Sequence, residues 1–322
     1  MTSHLLRRTG PAAAAAALVT VALAGCGGSS GTPQPPGAAA SSSGSGGSSY
    51  DAIVLGGPKA DSAAISASAW AQAVQKQGYL RRGGTDTGPL FSLKDPATGK
   101  VTGFDAGLSQ MLAHYITGKT DVANLEKLTI TTVDTRETLL QNHSVDTVIA
   151  TYTITPARAQ KVDFAGPYYE SGDAIMVKAD NNSIKSVDDL HGKTVATESN
   201  STAALALQKK VPDAKVTLFQ TDPECVAAVQ QGRVDAYVLD QGILVSDAST
   251  NNQVKVVGQP FTQEPYGIGL PKDQPDAKKF VNDFLQKIYA DGSWAKLWKA
   301  TIGTIVKGDA PQPPTIGSAP GS

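Results

Sequence analysis

Two stretches of this chain repeat one pattern, and the repeat limits the possible folds more than any other feature of the sequence. Residues 140–151 and 229–240 each run from the end of a predicted helix through a tight turn and the pair Val-Asp into a short strand. The strands end at polar residues, Thr151 and Asp240. Because ligands of open α/β sheets bind beyond the carboxyl ends of the strands, the repeat predicts two similar lobes that present Thr151 and Asp240 to one cleft.

Helical and strand patterns alternate along residues 50–306, which favours an α/β fold over a sandwich or a helical bundle. Residues 64–77 and 104–116 carry apolar side chains at helical spacing. A body of this length suits two modest domains. Short apolar runs predict buried strands at 128–133, 147–150, 174–177, 194–197, 215–219, 236–239 and 268–270.

The start of the chain has the features of a signal peptide. Arg7 and Arg8 form a positively charged beginning, and residues 12–24 form an apolar stretch that is too short to span a bilayer. The motif Leu-Ala-Gly-Cys, which ends at Cys26, resembles a bacterial lipobox, in which the cysteine receives lipid. We therefore predict a signal peptide over 1–25 and a lipid anchor on Cys26. Ordinary secretory cleavage, with Cys26 as an incidental thiol, is the alternative.

Two segments of simple composition flank the body. Residues 27–49 consist only of Gly, Ser, Thr, Pro, Gln and Ala, so they cannot bury enough apolar surface to offset the entropy of ordering. We expect residues 26–50 to be the lipidated cysteine followed by a disordered linker. The proline-rich residues 307–322 predict a disordered tail.

Charge and motif content argue against several classes of function. Without residues 1–25 the chain loses Arg7 and Arg8 but no acidic residue, which leaves 26 basic and 29 acidic side chains and a net charge of −3. With that charge and no basic patch among aromatic residues, we expect no nucleic-acid partner. The four histidines are far apart, no Gly-x-Gly-x-x-Gly loop opens a helix, and no Ser-His-Asp order with a nucleophile elbow occurs. We therefore expect no metal, no cofactor and no catalytic residues.

A set of motifs resembles a known family. In chain order they are Gly-Phe-Asp (103–105), Thr-Ile-Thr-Pro-Ala-Arg (153–158), Val-Asp-Phe-Ala-Gly-Pro-Tyr-Tyr (162–169), Gly-Arg-Val-Asp-Ala (232–236) and Tyr-Gly-Ile-Gly-Leu (266–270). Over about residues 77–301 the chain resembles bacterial extracellular solute-binding protein family 3. Within that family it is most similar to the glutamate- and glutamine-binding lipoproteins of actinobacteria.

The resemblance implies a two-lobed, periplasmic-binding-protein-like fold of type II. Two crossover strands act as the hinge of that fold, and the ligand binds in the cleft between the lobes. On this template the first lobe consists of residues 63–171 plus 264–306, and the second lobe consists of residues 172–263. The crossings are expected at 174–178 and 267–270.

The resemblance also implies a function. Proteins of this family capture an amino acid and deliver it to the membrane permease of an ABC importer, so we expect a monomeric, lipid-anchored binding protein at the outer face of the cytoplasmic membrane. The expected ligand is a polar amino acid, with glutamate and aspartate or glutamine and asparagine favoured. Two alternatives stay open: a receptor that reports ligand levels to a signalling partner, and a dehydratase-type enzyme, for which Glu170 is the acid to test.

A free amino acid needs paired donors for its carboxylate and an acceptor for its ammonium group. Thr155 suits a helix N-cap and Pro156 the first helical position, so Arg158 falls in the first turn, where it can hold a carboxylate with two parallel hydrogen bonds. From the residues alone, a solvated surface arginine is the alternative. The resemblance assigns Arg158 to the α-carboxylate and Asp240 to the α-ammonium, although Asp240 could instead cap the helix that follows it.

Four hydroxyl-bearing residues belong to the predicted site. Thr151 and Thr153 lie two apart on a predicted strand, so their hydroxyls should point the same way. The resemblance implies contacts from both with the ligand. Ser201 and Thr202 precede a predicted helix at 203–210, whose free backbone amides suit an anion.

Arg136 is the residue that the resemblance connects with substrate choice. It follows Asp134 and precedes Glu137, so we expect it in the first turn of a helix capped by Asp134. In glutamate- and aspartate-binding relatives the arginine at this point contacts the side-chain carboxylate of the ligand, but glutamine-binding relatives can carry arginine there too. Two further residues have no assigned role: Arg82, which replaces an apolar residue of the relatives, and Cys225, which we expect to be a small buried residue on a helix.

Overall fold

The computed structural model describes residues 46–322, with side chains from Tyr50 onwards. The predicted signal peptide over 1–25, the predicted lipid anchor on Cys26 and most of the predicted linker lie outside the described residues. Within this part of the chain no helix is both long and apolar enough to cross a membrane.

Strands and helices alternate along the described residues. In chain order the strands are β1 (Leu80–Gly84), β2 (Thr87–Gly88), β3 (Ser92–Lys94), β4 (Val101–Thr102), β5 (Glu126–Ile130), β6 (Thr147–Val148), β7 (Asp163–Ser171), β8 (Asp173–Lys178), β9 (Thr194–Glu198), β10 (Lys215–Phe219), β11 (Ala236–Asp240), β12 (Val254–Val257) and β13 (Glu264–Leu270). The α-helices are α1 (Gly46–Leu55), α2 (Ser62–Ser66), α3 (Ala69–Gln77), α4 (Phe104–Thr117), α5 (Arg136–Gln141), α6 (Pro156–Ala159), α7 (Thr202–Lys210), α8 (Asp222–Gln230), α9 (Gln241–Thr250), α10 (Pro275–Ala290) and α11 (Ser293–Ala300). Short 3-10 helices lie at Val122–Asn124, Val187–Leu190 and Ile302–Thr304.

Two five-stranded sheets share one arrangement. In the first, with the order β5-β1-β6-β13-β7, strands β5, β1 and β6 run parallel and β13 runs antiparallel to both of its neighbours. In the second, with the order β10-β9-β11-β8-β12, strands β10, β9 and β11 run parallel and β8 runs antiparallel to both of its neighbours. The repeated segments of the sequence supply β6 and β11, which hold the same place in the two sheets. The predicted two-lobed α/β fold of type II is confirmed.

Each lobe has its own apolar core. In the first lobe α4 is central, and Leu108, Met111 and Leu112 are buried at the helical spacing seen in the sequence. Trp294 of α11 packs edge-on against Phe104, with ring centroids 5.6 Å apart. The second core lies between the second sheet and helices α7, α8 and α9. Two separate cores allow the lobes to move as separate bodies, as a hinged cleft requires.

Two segments join the lobes side by side. Gly172 connects β7 to β8, and residues 258–263 connect β12 to β13. The Phe261 N–H donates to the Asp173 carbonyl at 2.9 Å, and the Asp173 N–H donates to Thr262 Oγ1 at 2.8 Å. A Cβ on Gly172 would lie 2.5 Å from the Thr262 carbonyl oxygen, so glycine allows this close approach. These two adjacent segments connect the lobes, and the crossings expected at 174–178 and 267–270 lie close to them, inside β8 and β13.

Residues 64–77 form two helices rather than the single predicted one. Helix α2 ends at Ser66 and α3 begins at Ala69, because Ser68 Oγ accepts a hydrogen bond from the Ala71 N–H at 3.1 Å and starts a new helix. The Ser68 hydroxyl donates in turn to Asp276 of α10 at 2.9 Å. This partner lies far away in the sequence, so the local pattern did not indicate the break.

The N-terminal end of the described chain is more regular than its composition indicated. Helix α1 begins inside the predicted linker over 26–50, and Tyr50 is buried. The Tyr50 hydroxyl donates to the Gly103 carbonyl at 3.1 Å. One buried aromatic side chain therefore fixes the point where the globular body begins.

The C-terminal residues 307–322 lie along the first lobe, which differs from the predicted disordered tail. The Gly317 N–H donates to the Gly166 carbonyl at 2.9 Å, and Ala319 is buried in a small cluster with Ile154. Proline lowers the conformational entropy of the unfolded segment, so a few contacts are enough to order it.

Candidate functional site

A cavity of about 360 Å³ lies between the two lobes. Residues that follow β1, β5 and β6 line it from the first lobe, and residues at or after the ends of β9, β10 and β11 line it from the second. Ligands of α/β sheets bind at this position, and the volume lies in the range of small-molecule sites. The cavity is lined by all seven residues that the sequence assigned to the ligand: Arg136, Thr151, Thr153, Arg158, Ser201, Thr202 and Asp240.

The two walls of this cavity touch each other in the described conformation. Arg158 Nη2 donates to the Asn200 carbonyl at 3.3 Å, and the Leu90 N–H donates to Ser246 Oγ at 3.1 Å. The Asn200 amide donates to the Asp134 carboxylate. Each of these contacts joins the first lobe to the second, so one small molecule can reach both walls in this conformation.

Arg158 is 8% exposed, and the main chain holds its side chain in place. Helix α6 is a single turn that Thr155 caps as predicted, because Thr155 Oγ1 accepts from the Arg158 N–H at 3.2 Å. Arg158 Nη1 donates to the Thr153 carbonyl at 2.8 Å. Burial, and after it the charge of Arg136, lower the pKa of Arg158 to about 10. The guanidinium is therefore a buried cation at neutral pH.

Arg136 lies near Arg158 on the same aromatic side chain. The guanidinium carbon of Arg136 is 4.3 Å from the centre of the Tyr152 ring, and that of Arg158 is 5.2 Å from it. Arg136 Nη1 donates to the carbonyls of Ala150 and Thr151 at 3.0 and 3.4 Å. Two buried cations on one wall favour an anion between the lobes.

Asp240 ends β11 on the opposite wall. Its carboxylate is buried, and Oδ1 has no hydrogen-bond partner among the described residues. Asp240 holds the N-cap position of α9 but makes no capping bond, so the alternative role as a cap is not observed. Burial, followed by the charge of Glu264, raises the pKa of Asp240 to about 7. An ammonium group beside it would favour the charged form.

Thr151 has an unusual backbone conformation for a β-branched residue, with φ at +45°. Asp105 holds it there: Oδ2 accepts from the Thr151 N–H at 2.8 Å, and Oδ1 accepts from the Tyr168 hydroxyl at 2.8 Å. Two motifs of the sequence, around Asp105 and Tyr168, therefore fix this part of the wall. Strand β6 ends at Val148, so the prediction that Thr151 and Thr153 share a strand is wrong, although both line the cavity.

Ser201 and Thr202 stand at the start of α7. Ser201 Oγ accepts from the Ala204 N–H at 3.0 Å, so its hydroxyl serves as the N-cap of the helix. Ser201 Oγ also lies 3.2 Å from Thr197 Oγ1. Thr202 is the first helical residue, and it is the better placed of the two to offer its hydroxyl to a ligand.

Asn200 and Asp134 form a contact across the cleft that the sequence did not reveal. Asn200 has φ at +56°, a conformation that asparagine tolerates better than most residues. The expected capping of α5 by Asp134 is wrong, because Thr135 holds the N-cap position. Asp134 instead accepts the hydrogen bond from the Asn200 amide. The contact links the segment of Arg136 to the loop before α7.

Phe91 supplies an apolar part of the wall. It lines the cavity and also belongs to the core of the first lobe. Its ring packs edge-on against Tyr169 and Tyr266, with centroids 5.7 and 6.1 Å apart. Gly242 of the second lobe faces the ring, and a Cβ added there would lie 2.9 Å from it. Phe91 therefore belongs both to the core of the first lobe and to the wall of the cavity.

Comparison with known protein families shows to which family the chain belongs. Residues 80–304 match the model of bacterial extracellular solute-binding proteins, family 3. The chain belongs to this family. As a family 3 protein it acts outside the cytoplasm, and the family predicted from the sequence motifs is confirmed.

Individual relatives of this family 3 protein are binding proteins. ABC transporter glutamine-binding protein GlnH of Bacillus subtilis is 36% identical over 219 residues, which cover 68% of this chain and 78% of the relative. Glutamate-binding protein GluB of Corynebacterium efficiens is 33% identical over 226 residues, which cover 67% and 76%. The solved structure of the ancestral amino acid-binding protein AncCDT-1, a precursor of cyclohexadienyl dehydratase, has a TM-score of 0.64 at 34% identity and covers 72% of this chain and 98% of its own.

Several polar residues that line the cavity of this family 3 protein were missed in the sequence, and Glu198 and Asp222 are the most informative. Glu198 is the last residue of β9, and Asp222 is the first residue of α8. Asp222 Oδ1 accepts from the Tyr237 hydroxyl at 2.9 Å. Burial, followed by the charge of Asp222, raises the pKa of Glu198 to about 8. Position at the end of a strand, the signal that identified Asp240, applied equally to Glu198.

The residues without an assigned role lie away from the cavity. Arg82 is fully buried in the first lobe, pairs with Glu126 at 2.9 Å and donates to the Ile149 carbonyl at 3.2 Å. Cys225 is buried on α8, and burial raises the pKa of its thiol. Glu170, the acid of the enzyme alternative, is exposed on β7 and does not line the cavity. Over residues 46–322, no cluster of three or more His, Cys, Asp or Glu side chains is arranged to hold a metal ion.

Proposed function

We propose that this chain is an extracytoplasmic lipoprotein that captures a polar amino acid between its lobes and delivers it to an ABC importer. One observation carries the proposal: Arg158 and Asp240 are a buried cation and a buried carboxylate on opposite walls of one cavity. An amino acid zwitterion has the complementary pair of charges. The names of two relatives, a glutamine-binding and a glutamate-binding protein, support the same ligand class.

The proposed contacts follow from the donors and acceptors in the cavity. Arg158 and the hydroxyl of Thr202, together with the first amides of α7, bind the α-carboxylate. Asp240 accepts from the α-ammonium. Thr151 and Thr153 line the wall beside Arg158 and complete the hydrogen bonds to these two groups.

Arg136 and Ser201, the two remaining residues of the predicted site, have different proposed roles. Arg136 stands farther along the first-lobe wall, where it meets the side chain of the ligand. Ser201 caps α7 and thereby orients the helix start that faces the carboxylate. Its contribution is positional, because its hydroxyl already bonds to the helix.

Capture requires closure of the hinge. On the proposed boundaries the first lobe, 63–171 plus 264–306, carries Arg158, and the second lobe, 172–263, carries Asp240. A ligand that binds both favours the closed form by its difference in affinity for the closed and open states. A micromolar site needs about −8 kcal/mol, and two charged pairs with several hydroxyl contacts can supply it.

The test of the ligand class is calorimetry against the twenty amino acids, with the purified full chain carrying Cys26→Ser to remove the attachment point for lipid. We expect micromolar or tighter binding of at least one polar amino acid. No heat with any of the twenty would refute the proposal. Ligand recovered unchanged after incubation would separate binding from the dehydratase alternative.

The lipid anchor has its own test. Cys26→Ser should release the exported protein, proposed to be a monomer, from the cell membrane into the medium, because the chain then lacks acyl chains. Equal retention of the variant and the natural chain at the membrane would contradict the anchor. Loss of amino-acid uptake after deletion of the gene would support delivery to an importer, whereas unchanged uptake would favour a receptor.

A further inference from the structure

More acidic than basic residues line the cavity. Two of them are basic and four are acidic: Arg136 and Arg158 against Asp86, Glu198, Asp222 and Asp240. In the proposed function the zwitterion engages Arg158 and Asp240. One arginine and three carboxylates then surround the side chain of the ligand.

The carboxylates of the second lobe follow the ends of neighbouring strands. Strands β10, β9 and β11 are neighbours in the sheet and run parallel. Asp240 ends β11, Glu198 ends β9, and Asp222 follows the end of β10 at the start of α8. All three line the cavity at the edge of the sheet where the parallel strands end.

Arg136 is partly engaged by groups of the protein, and its Nε has no hydrogen-bond partner among the described residues. Its Nη1 donates to the carbonyls of Ala150 and Thr151, and its guanidinium rests on Tyr152. Its positive charge acts on both Glu198 and Asp240, where it opposes the larger effect of burial on the pKa of each carboxyl. A carboxylate on the ligand would therefore compete with carboxylates of the protein for this cation.

A further carboxylate, that of Asp247, lies next to Asp222. Asp247 is buried on α9, and its Oδ2 has no hydrogen-bond partner among the described residues. Burial, followed by the charge of Asp222, raises the pKa of Asp247 to about 9. Asp247 therefore adds a further acidic group beside the carboxyl groups of the cavity, and another negative charge is unfavourable there.

We propose that Glu198 and Asp222 form a side-chain subsite that selects an amino acid whose side chain ends in N–H groups, an amide or a cation, over one that ends in a carboxylate. The inference rests on the proposed function and narrows its ligand class. N–H groups of the ligand donate to the carboxyl oxygens of the subsite and favour their ionised forms, whereas a ligand carboxylate offers no N–H donor and disfavours ionisation there. Among the amino acids expected from the sequence, the subsite favours glutamine and asparagine and disfavours glutamate and aspartate.

Glutamine and glutamate provide the test because they have the same shape and differ in one terminal group. Calorimetry at pH 7.5 with the full chain carrying Cys26→Ser should give binding of glutamine about tenfold tighter than that of glutamate, and arginine should also bind more tightly than glutamate. Glu198→Gln should lower the preference for glutamine about fivefold, and Asp222→Asn should act in the same direction. Asp188→Asn removes an exposed carboxylate of the second lobe outside the cavity and should leave the preference unchanged.

Two results would overturn this inference. One is binding of glutamate that is equal to or tighter than binding of glutamine by the unaltered cavity. The other is an unchanged preference in both Glu198→Gln and Asp222→Asn. Either result leaves the proposed function standing, because an amino acid still binds, whereas the absence of heat with every amino acid would refute the proposed function itself.

Discussion

The two walls of the cleft are built on one topology and carry opposite charge. Strands β6 and β11 hold the same place in their sheets, yet the first wall presents Arg136 and Arg158 while the second presents Asp240 and Glu198. On each wall, burial and a like charge oppose ionisation: Arg136 adds to the lowered pKa of Arg158, and Glu264 adds to the raised pKa of Asp240. The proposed amino-acid site therefore needs residues of both lobes. Each holds charge that the opposite wall and a ligand between them can neutralise.

Removal of the positive charge of Arg158 should weaken binding more than any other change to the cavity. Arg158→Met keeps much of the apolar stem and removes the charge, which leaves the α-carboxylate without its partner. We expect a loss of about 3 kcal/mol, or about 100-fold in affinity, for every amino acid that binds, measured by calorimetry. Arg233→Met, at an exposed arginine outside the cavity, is the control. A loss confined to one amino acid would contradict the role in the α-carboxylate contact.

Removal of the charge on the opposite wall should have the next largest effect. Asp240→Asn preserves the shape of the side chain and removes its negative charge, so the α-ammonium loses its counter-ion. The expected loss is about 2 kcal/mol, or about 30-fold, again for every ligand. Affinity within threefold of the unaltered chain at neutral pH would show that another group holds the ammonium.

Replacement of Arg136 should change which amino acid binds most tightly rather than abolish binding. Arg136→Ala leaves the side-chain region of the cavity more acidic, so the affinity for arginine should rise relative to that for glutamine, by about fivefold. Arg136→Lys retains the charge and should keep the preference closer to that of the unaltered chain. An equal loss for all ligands after Arg136→Ala would mean that this residue binds the α-groups instead.

The acidic wall predicts a dependence of stability on pH. Burial first, and then the charge of Asp240, raise the pKa of Asp173 to about 8, while that of Asp240 is about 7. The folded chain therefore holds protons that the unfolded chain releases near pH 4, so this stabilisation is full below about pH 4 and is lost as the pH rises through 7 to 8. Without ligand, Tm should fall between pH 6 and pH 8.5, and the fall should be smaller in Asp173→Asn.

Ligand should reverse part of this trend, because its ammonium favours ionised Asp240. The rise in Tm on addition of a saturating amino acid should therefore be larger at pH 8.5 than at pH 6. Thermal melts at both values, with and without ligand, measure the effect. A ligand-induced rise that is the same at both pH values would contradict the coupling between the ammonium and Asp240.

The smallest effect is expected from the C-terminal segment 307–322, which packs on the first lobe. A chain that ends after Asp309 loses the buried Ala319 and the partly buried Ile316. We expect a loss of about 1 to 2 kcal/mol in the free energy of unfolding, visible as a lower Tm, and a change in affinity of less than about threefold. An unchanged Tm would show that the segment does not pack on the lobe in solution.

Much of the fold could be predicted from the sequence because its signals are local. The strand predicted at 215–219 coincides with β10, although β10 is an exposed edge strand and not a buried one. The helical spacing at 104–116 lies within α4. The repeat located β6 and β11 at the cleft. The break at Ser68 and the packing of 307–322 were missed, because each depends on a partner far away in the sequence.

The candidate site was predicted in part for the same reason. Arg158 and Asp240 stand in motifs with a recognisable order, and both line the cavity. Glu198 ends a strand as Asp240 does, but neither Glu198 nor Asp222 stands in a family motif, and only the folded chain shows that the two carboxyl groups lie beside each other. Sequence identified the residues proposed to bind the α-carboxylate and the α-ammonium, and Arg136 as a residue for substrate choice, whereas Glu198 and Asp222 required the structure.

The most direct test of the central claim uses the amino acid that binds most tightly and two of its derivatives. N-acetylation removes the ammonium charge, and conversion of the α-carboxylate to an amide removes the carboxylate charge. If opposite walls hold the two charges, calorimetry should show each derivative binding at least about 100-fold more weakly than the parent amino acid. Binding of either derivative within about threefold of the parent would contradict the account.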